Sequence, residues 1–406
     1  MDTPLHKPGV RHALRVAVVT ETYPPEINGV ARTVGLMVDA LCERGHEVQL
    51  VRPRQRDEPV PSRETGPQVR LVPGMPIPFY RHLQMGFAPP RLLSTEWTKW
   101  RPDLVHVVTE GPLGWAAVSS ARRLGIPTCS DFHTNFHSYS RHYGVGVFAG
   151  IVAGYLRSLH NRTDSTFVPT SEMQANLESL EFERIKVVGR GVDTRLFSPT
   201  RRSGRLRATW SCRGSEMVAL YVGRIAPEKN LELFVQAALA MRAVDASVRV
   251  VLVGDGPQAA ELRVRHPDFV FAGMRTGGDL AEHYASADVF LFPSTTETFG
   301  NVTLEAMASG LGVVAYDYAA ARQYLRHEAS ALLAPLDDGA AFVRMAERLA
   351  GDPDLVSRLR SKAKLAAETA SWSRAFDDLE LEMRKIIGAH RAGAGLVRED
   401  SVHVET

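Results

Sequence analysis

The chain has 406 residues, which is more than one ordinary domain holds and predicts two domains. Hydrophobic residues make up 44% of the sequence and charged residues 23%, a balance that excludes a wholly disordered protein. The formal net charge is only +2, and the 41 arginines and seven lysines form no long basic run, which argues against a dedicated nucleic-acid binder.

The cysteine pattern and the lack of a recognisable signal peptide or membrane span predict a cytoplasmic protein. Cys42, Cys129 and Cys212 are too widely spaced for a zinc motif or a disulfide framework, so we expect reduced thiols. Residues 1–15 carry charge but lack the apolar core of a signal peptide. No stretch reaches the roughly 18 apolar residues that a membrane-spanning helix needs.

Residues 145–156 (VGVFAGIVAGYL) come nearest to that length and are open to two interpretations. They predict either a buried helix or a surface that dips into a membrane interface, since Arg141 and Arg157 flank them. Residues 1–163 hold 19 basic and 13 acidic groups, so the excess positive charge lies in the first half. That excess leaves open a contact with the inner face of the cytoplasmic membrane.

Short apolar runs alternate with helical patterns along nearly the whole chain. Strands are predicted at 15–20, 47–52, 69–72, 104–108, 127–130, 165–169 and 185–188, then at 218–222, 248–253, 269–271, 289–292, 312–315 and 331–334. Helices are predicted at 30–44, 231–242, 259–265, 302–309, 340–350, 354–368 and 373–390. The β-branched content and lengths of about 4–8 residues are typical of buried parallel strands, so this alternation predicts a doubly wound α/β fold.

The two blocks of alternating elements predict two Rossmann-like domains joined near residues 195–207, a polar and basic stretch that contains Pro and Gly. We place the domains at 1–197 and 198–372, followed by a helix at 373–390 and a disordered tail at 391–406. Residues 53–90 are rich in proline and arginine, and they predict long loops that help to shape a site on the first domain.

Open α/β sheets bind ligands beyond the carboxyl ends of their strands, so the polar residues there are the first candidates. After the first predicted strand, Asn28 and Gly29 precede a helix, which indicates either an anion site or a simple turn. After the strand that ends at residue 130, His133 lies beside Asp131 and Asn135. A histidine there can hydrogen-bond a substrate hydroxyl without titrating.

The second half carries a stronger pattern. Arg224 and Lys229 lie in one loop after the strand at 218–222, and they favour a clamp for a diphosphate. After the strand at 289–292, a glycine and an asparagine open a helix whose first amides would face a phosphate, in the segment Gly300, Asn301 and Val302. Glu297 and Glu305 flank that anion site and suit hydrogen bonds to hydroxyl groups.

Residues 252–259 (LVGDGPQA) fit the dinucleotide pattern G-x-G-x-x-A, which would indicate a nicotinamide site. The pattern follows the second strand of its block rather than the first, and no suitably placed acidic residue follows about 20 residues later. Pro257 also removes an amide from the helix start. We therefore favour a tight turn at Gly254 that brings the backbone near a ligand.

These motifs together resemble the retaining glycosyltransferases of family 4, which have the glycosyltransferase-B fold. The resemblance rests on GRIAPEKN at 223–230, GDGP at 254–257 and the two glutamates of ETFGNVTLE at 297–305. VTETYPPEINGVARTV at 19–34, FHT at 132–134 and GRGVD at 189–193 also match, so the resemblance covers about residues 14–375. It implies two domains that face each other across a cleft and a last helix that returns to the first domain.

The resemblance implies a role for each matching residue. Donor-binding residues would be Gly29, Arg224, Lys229, Gly254, Gly300, Asn301, Val302 and Glu305, with the two cations on the diphosphate and Glu305 on the ribose. Catalysis would involve His133, Glu297, Arg224 and Lys229, with Glu297 on the hydroxyls of the transferred sugar and His133 near its reacting carbon. Asn28, Asp131, Asn135 and Tyr139 are expected on the acceptor side.

The implied chemistry is a retaining transfer in which the leaving phosphate takes the acceptor proton, so neither a nucleophilic carboxylate, a metal ion nor a cofactor is expected. Fixed cations aimed at the diphosphate would stabilise the charge that develops there. The one D-x-D motif, Asp352 to Asp354, lies between two predicted helices, where capping explains it better than a metal site.

Donor and acceptor stay open. The opening and FHTNF look most like bacterial α-mannosyltransferases that use GDP-mannose, but UDP-hexose glycolipid enzymes share the pattern. The acceptor would be lipid-linked or a saccharide, near aromatic residues such as Phe79 and Tyr143, although simple packing also explains those side chains. A nicotinamide oxidoreductase and a non-catalytic nucleotide-sugar binder are the rivals. The intact Arg224, Lys229, Glu297 and Glu305 argue against the binder.

Overall fold

The computed structural model describes residues 12–26, 28–54, 66–77, 80–133 and 147–402. The strands are β1 (Arg15–Val19), β2 (Glu47–Pro53), β3 (Gln68–Val72), β4 (Gly74–Ile77), β5 (Tyr80–Gly86), β6 (Leu104–Val107), β7 (Thr128–Asp131), β8 (Ser165–Val168), β9 (Ile185–Val187), β10 (Val218–Val222), β11 (Arg249–Val253), β12 (Val270–Gly273), β13 (Val289–Phe292), β14 (Gly312–Tyr316) and β15 (Leu332–Ala334). Each predicted strand overlaps one of these.

The helices of the described residues are α1 (Gly29–Glu43), α2 (Pro90–Trp100), α3 (Pro112–Leu124), α4 (Val147–His160), α5 (Ser171–Ser179), α6 (Gly204–Thr209), α7 (Leu231–Val244), α8 (Ala259–Arg265), α9 (Gly277–Ser286), α10 (Asn301–Ala308), α11 (Ala319–Tyr324), α12 (Gly339–Gly351), α13 (Pro353–Glu368) and α14 (Trp372–Val402). Single 3₁₀ turns lie at Pro199–Arg201 and Pro227–Lys229. Asp352 caps α13 by accepting the Leu355 amide at 2.8 Å, as predicted.

Two parallel sheets form the centres of the molecule, which confirms the doubly wound α/β prediction. The first has the strand order β3-β2-β1-β6-β7-β8-β9 and the second has β12-β11-β10-β13-β14-β15. In each sheet the order reverses beside the first strand of its block, between β1 and β6 and between β10 and β13. Ligands of open sheets bind at such switch points, beyond the carboxyl ends of the strands. The segments that follow β1, β10 and β13 are therefore the expected site.

The segment at 53–90 is more regular than predicted. Besides β3, it contains β4 and β5, which pair antiparallel as a separate two-stranded sheet, with Gly74 opposite Gly86. The prediction of long loops was wrong for β4 and β5, because it took the prolines of this segment as evidence against strands. Pro76 lies within β4, and a short strand outside the main sheets tolerates a proline that a central strand would not.

The junction near residues 195–207 is also more ordered than a linker. Arg202 and Arg207 both bond to Asp288 on the second domain, with nitrogen–oxygen distances of 2.8 and 3.0 Å. Arg360 of α13 reaches the same carboxylate at 3.1 Å. Three arginines around one buried carboxylate fix the start of the second domain, so this polar, basic sequence indicates an ion-pair cluster.

The last helix, α14, returns to the first domain and packs on its core. Phe376, Leu379 and Met383 are buried in the same cluster as Val16 and Leu50 of the first sheet. The helix ends at Val402 rather than at the predicted residue 390. The disordered tail and the domain boundaries themselves stay predictions.

Helix α4 covers most of the apolar stretch at 145–156, and it is only partly buried. Leu156 and Leu159 pack inside, whereas Ile151 is 61% exposed and Tyr155 is also exposed. Of the side chains described in this stretch, some pack against the core and others are exposed, so neither alternative is decided by burial alone. Within the described ranges, no helix combines the length and the apolar character needed to cross a membrane.

Candidate active site

The loop after β10 is folded tightly and brings its lysine to the switch point of the second sheet. The amide of Ile225 donates to the Asp255 carbonyl at 2.9 Å, and the Tyr221 hydroxyl donates to the Arg224 carbonyl at 2.9 Å. A single 3₁₀ turn at Pro227–Lys229 then places the lysine ammonium beside the loop that follows β13. The two loops that sequence analysis singled out therefore meet.

Lys229 and Glu297 form the centre of this site. Lys229 Nζ lies 2.5 Å from Glu297 Oε1, and the Ser294 hydroxyl donates to the same oxygen at 2.6 Å. The side chains are 19% and 14% exposed, so both are sheltered but reach the cleft. The Tyr318 hydroxyl donates to the Glu297 carbonyl and fixes the backbone of this loop. If the Lys229–Glu297 ion pair opens, the ammonium can bind a diphosphate and the carboxylate can bind a sugar hydroxyl.

Arg224 lies at the rim of the same site. Its Nη1 is 3.2 Å from Glu228 Oε1, and its side chain is 51% exposed. Ion pairs at such exposure contribute little stability, so the guanidinium can turn toward an incoming anion at low cost. Arg224 and Lys229 are thus both near the switch point, as the spacing of their loop implied.

Two helix N-termini face each other across the cleft. Helix α10 begins after Gly300, whose φ of 90° favours glycine, and α1 begins at Gly29. A Cβ atom on Gly29 would lie 3.8 Å from Asn301 Nδ2, so the first domain approaches the second closely here. Asn301 Oδ1 is buried and accepts no hydrogen bond within the described ranges. Helix N-termini carry unpaired amides and partial positive charge, which suits a phosphate between the domains.

Glu305 is buried one turn into α10 and is held from both domains. Arg32, on α1 of the first domain, forms an ion pair with Oε1, and the Tyr284 hydroxyl donates to Oε2 at 3.0 Å. Burial raises the pKa of the Glu305 carboxyl, although the Arg32 guanidinium opposes that rise. Sequence reasoning missed Arg32 and Tyr284. Arg32 lies within the quoted opening motif, one turn after Gly29, which was the available signal.

His133 lies just beyond β7 and is held by two carboxylates. Its backbone amide donates to Glu110 Oε1 at 3.0 Å, and its ring Nε2 lies 3.5 Å from Asp131 Oδ2. The His133 side chain is 12% exposed. Asp131 itself is buried, and its other oxygen lies 3.0 Å from His106 Nε2. Asp131 therefore lies between two histidine rings, and its expected place on the acceptor side stays a prediction.

Asn28 has hydrogen-bond partners within the first domain. Its Oδ1 accepts the Ala31 amide at 2.8 Å and caps α1, and its Nδ2 donates to the Thr22 hydroxyl at 2.9 Å. Its expected place on the acceptor side stays a prediction. The other two acceptor-side candidates, Asn135 and Tyr139, lie outside the described residues.

The glycines of the dinucleotide-like pattern contact protein backbone. A Cβ atom on Gly254 would lie 1.9 Å from the Gly223 carbonyl oxygen, and one on Gly256 would lie 2.3 Å from the Ile225 carbonyl oxygen. The turn therefore packs directly against the backbone of the loop that carries Arg224. This packing explains the spacing without a nicotinamide, and the donor-binding role of Gly254 stays a prediction.

A carboxyl with a raised pKa, that of Glu21, lies just beyond the end of the first strand. Glu21 Oε1 accepts the Gly86 and Leu113 amides at 3.1 and 3.3 Å. Burial raises the pKa of Glu21 to about 7, and the nearby Glu110 carboxylate adds to that rise. A carboxyl that titrates near neutrality makes the stability of this region depend on pH.

We expect the free energy of unfolding to fall as the pH rises from about 5 to 8. Between the ordinary pKa of 4.5 and the raised pKa of about 7, the folded chain keeps a proton on Glu21 that the unfolded chain releases. The contribution is at most about 3 kcal/mol. Urea unfolding at both pH values checks it. Glu21→Gln should flatten the pH dependence, and Glu368→Gln, at an exposed helical position, should not. Identical profiles for all three chains would contradict the assignment.

Comparisons with known proteins agree with this geometry. The model of Glycosyltransferase Family 4 matches residues 27–196, and that of Glycosyl transferases group 1 matches residues 216–352. A GDP-mannose-dependent alpha-mannosyltransferase of Mycolicibacterium smegmatis is 36% identical over 80% of this chain and 85% of that protein. A sulfoquinovosyl transferase of Arabidopsis thaliana is 31% identical over 78% of this chain and 62% of that protein.

The fold has matches among solved structures as well. The structure of Anabaena HepE in complex with UDP-glucose superimposes with a TM-score of 0.71, at 17% identity, over 92% of this chain and all of that one. Two parallel sheets, a returning last helix and a site at facing switch points fit the same architecture. The chain therefore belongs to glycosyltransferase family 4, and it is a hexosyltransferase with the glycosyltransferase-B fold.

Proposed function

We propose that the protein transfers mannose from GDP-mannose to a hydroxyl group of a lipid-linked or saccharide acceptor, with retention of configuration and without a metal ion. The observation that carries this is the Lys229–Glu297 pair beside the N-terminus of α10, facing the N-terminus of α1 across the cleft. The relatives with GDP-mannose-dependent activity support guanine as the base.

The residues of the site suit the bond that must break. When the bond between the sugar and the diphosphate opens, negative charge develops on the departing diphosphate and positive charge on the sugar ring. Lys229, Arg224 and the first amides of α10 are placed to stabilise that negative charge. Glu297, once released by the lysine, would accept hydrogen bonds from sugar hydroxyls. Glu305, held by Tyr284, would accept them from the ribose.

The same arrangement supports the proposals of retention and metal independence. A leaving phosphate oxygen held by cations can take the proton of the acceptor hydroxyl on the same face of the sugar, which retains configuration. Two side-chain cations supply the charge that a metal ion supplies elsewhere. Transfer in the presence of EDTA and an α-configured product by NMR are the expected results, whereas a β-linked product or a rate that only added Mg²⁺ or Mn²⁺ restores would contradict them.

The donor is tested with a panel of GDP, GDP-mannose, UDP-glucose and NADH. Binding of each compound is measured by thermal shift, and the two nucleotide sugars are also tested for transfer. We expect GDP and GDP-mannose to raise the melting temperature, since a ligand stabilises the state that binds it. A response to UDP-glucose alone would establish the alternative of a UDP-hexose donor. A response to NADH alone would contradict a glycosyltransferase site. A wild-type protein that binds GDP-mannose but neither hydrolyses nor transfers it would be a non-catalytic binder, and unchanged hydrolysis and transfer in Glu297→Ala would contradict the role of Glu297.

The acceptor side is proposed to contact the cytoplasmic face of a membrane. Helix α4 exposes Ile151 and Tyr155, with Arg157 on the same helix, and this combination suits an interface with anionic lipid. Sedimentation with vesicles that contain anionic phospholipid checks the contact. Binding that Ile151→Ser does not weaken would exclude this helix.

A further inference from the structure

His106 and Asp131 lie on the neighbouring strands β6 and β7, and His133 follows just beyond the end of β7. His106 of β6 pairs with Cys129 of β7, two residues before Asp131. Because side chains alternate along a strand, Asp131 points to the same face as Cys129 and is the diagonal neighbour of His106. This register explains why His106 Nε2 comes within 3.0 Å of Asp131 Oδ1.

The carboxylate between the two histidines keeps a low pKa although it is buried. Burial alone would raise the pKa of Asp131, but the interactions with His106 and His133 hold it well below its usual range. Arg190, near the end of β9, interacts electrostatically with the same carboxylate. A buried carboxylate with such partners is a fixed negative charge, able to orient whatever donor faces its second oxygen.

The second oxygen faces the ring of His133. His133 Nε2 is buried, accepts or donates no hydrogen bond within the described ranges, and lies 3.5 Å from Asp131 Oδ2. Hydrogen bonds at active sites are often long without substrate and shorten in the complex. The backbone of His133 is held separately, since its amide donates to Glu110 at 3.0 Å. The backbone amide of His133 therefore bonds to Glu110, whereas its ring faces Asp131.

We propose that Asp131 is a positioning residue for hexosyl transfer, whose carboxylate, anchored by His106, receives the Nε2 proton of His133 and fixes the orientation of that ring at the cleft. The inference rests on the proposed function, because it takes His133 to contact the transferred sugar. With its proton on Nε2, the ring keeps a lone pair on Nδ1 that can accept a hydrogen bond from a sugar hydroxyl.

Asp131→Asn tests the proposal, because it keeps the shape of the side chain and removes its charge. The matched control is Asp164→Asn. Asp164 Oδ2 accepts the Thr128 amide at 2.7 Å, so this carboxylate bonds to the same strand at the end away from the cleft. We expect kcat for transfer to fall about 10- to 100-fold in Asp131→Asn, the usual cost of losing a partner that orients a histidine. KM for the donor should change less than about twofold, and the control should keep its kcat.

A spectroscopic measurement separates this proposal from the proposed function. In ¹⁵N spectra of histidine-labelled protein, His133 should show the Nε2–H tautomer in the wild type and a mixture of tautomers in Asp131→Asn. If the wild type transfers no sugar from any nucleotide donor, the proposed function fails. If it transfers sugar and Asp131→Asn keeps its kcat or loses only donor affinity, the positioning role alone is overturned.

His106→Gln covers the case in which Asp131→Asn does not fold. His106 is buried and touches Asp131 from the side away from His133, so the change loosens the anchor and leaves the cleft itself intact. We expect a smaller fall in kcat, with the KM for the donor retained. A His106→Gln protein with wild-type kcat and an unchanged His133 tautomer would overturn the proposal.

Discussion

Replacing Lys229 with alanine is expected to reduce hexosyl transfer about 100- to 1000-fold, the usual cost of removing one donor that stabilises developing negative charge. The physical reason is its position, because the Lys229 ammonium is sheltered beside Glu297 at the N-terminus of α10 and would lie against the leaving diphosphate. Transfer rates at saturating donor, compared with those of the wild type, measure the loss. The melting temperature should fall only by a few degrees, since about 1 kcal/mol corresponds to roughly 2–4 °C in domains of this size.

The matched control for Lys229 is Lys385 on the returning helix. Lys385 also forms an ion pair with a glutamate, at 2.6 Å from Glu382 Oε1, but it lies outside the cleft. Lys385→Ala should keep full transfer activity. The double variant Lys229→Ala with Glu297→Gln removes the stranded carboxylate and tests whether any loss of stability comes from it. A fall in melting temperature that accounts for the whole loss of transfer would contradict the catalytic role.

Replacing Gly254 with alanine is expected to lower the free energy of unfolding by about 2–6 kcal/mol, the combined range for a strained backbone and an overpacked contact. Gly254 has a φ of 134°, which L side chains rarely adopt, and its Cβ atom would meet the Gly223 carbonyl at 1.9 Å. The clash falls on the loop that carries Arg224, so the affinity for the donor should decline with stability. Urea unfolding and nucleotide binding measure the two effects.

Gly204 provides the control for this substitution. It lies at the start of α6, and no atom comes within 4 Å of the Cβ position on it. Gly204→Ala should leave the free energy of unfolding within about 0.5 kcal/mol of the wild-type value. Equal stability of the Gly254 and Gly204 variants would show that the turn has room for a side chain and that its glycine contacts something other than the neighbouring loop.

Much of the architecture was readable from the sequence because buried parallel strands leave a strong local signal. The run VALYV at 218–222 is apolar throughout, and β10 occupies those five residues. The hairpin of β4 and β5 left no such signal, since it is short, carries Pro76 and depends on pairing between its own strands. Local pattern alone therefore located the sheets but misread this edge of the first domain.

The sequence analysis placed Lys229 and Glu297 each in a loop just after a strand. They come together because β10 and β13 are neighbours in the sheet, an order that the alternation of elements alone does not give. The opening motif drew attention to the segment that contains Arg32, but its contact with Glu305 could not be predicted, because the two residues are 273 positions apart and lie in different domains. The role of Asp131 needed the register of β6 and β7, and the role of Gly254 needed the position of Gly223. Such relations depend on the three-dimensional packing of loops.

The ion pair between Arg32 and Glu305 also concerns how the cleft accepts its ligand. Together with the Lys229–Glu297 ion pair, it places two cations and two carboxylates in the cleft, and their charges neutralise each other in pairs. If Lys229 and Glu305 bind the donor as proposed, an arriving nucleotide sugar has to displace both ion pairs, and separating Arg32 from Glu305 removes a contact between the two domains. The Arg32–Glu305 ion pair would then form again when the nucleotide leaves, so it would compete with the product for Glu305.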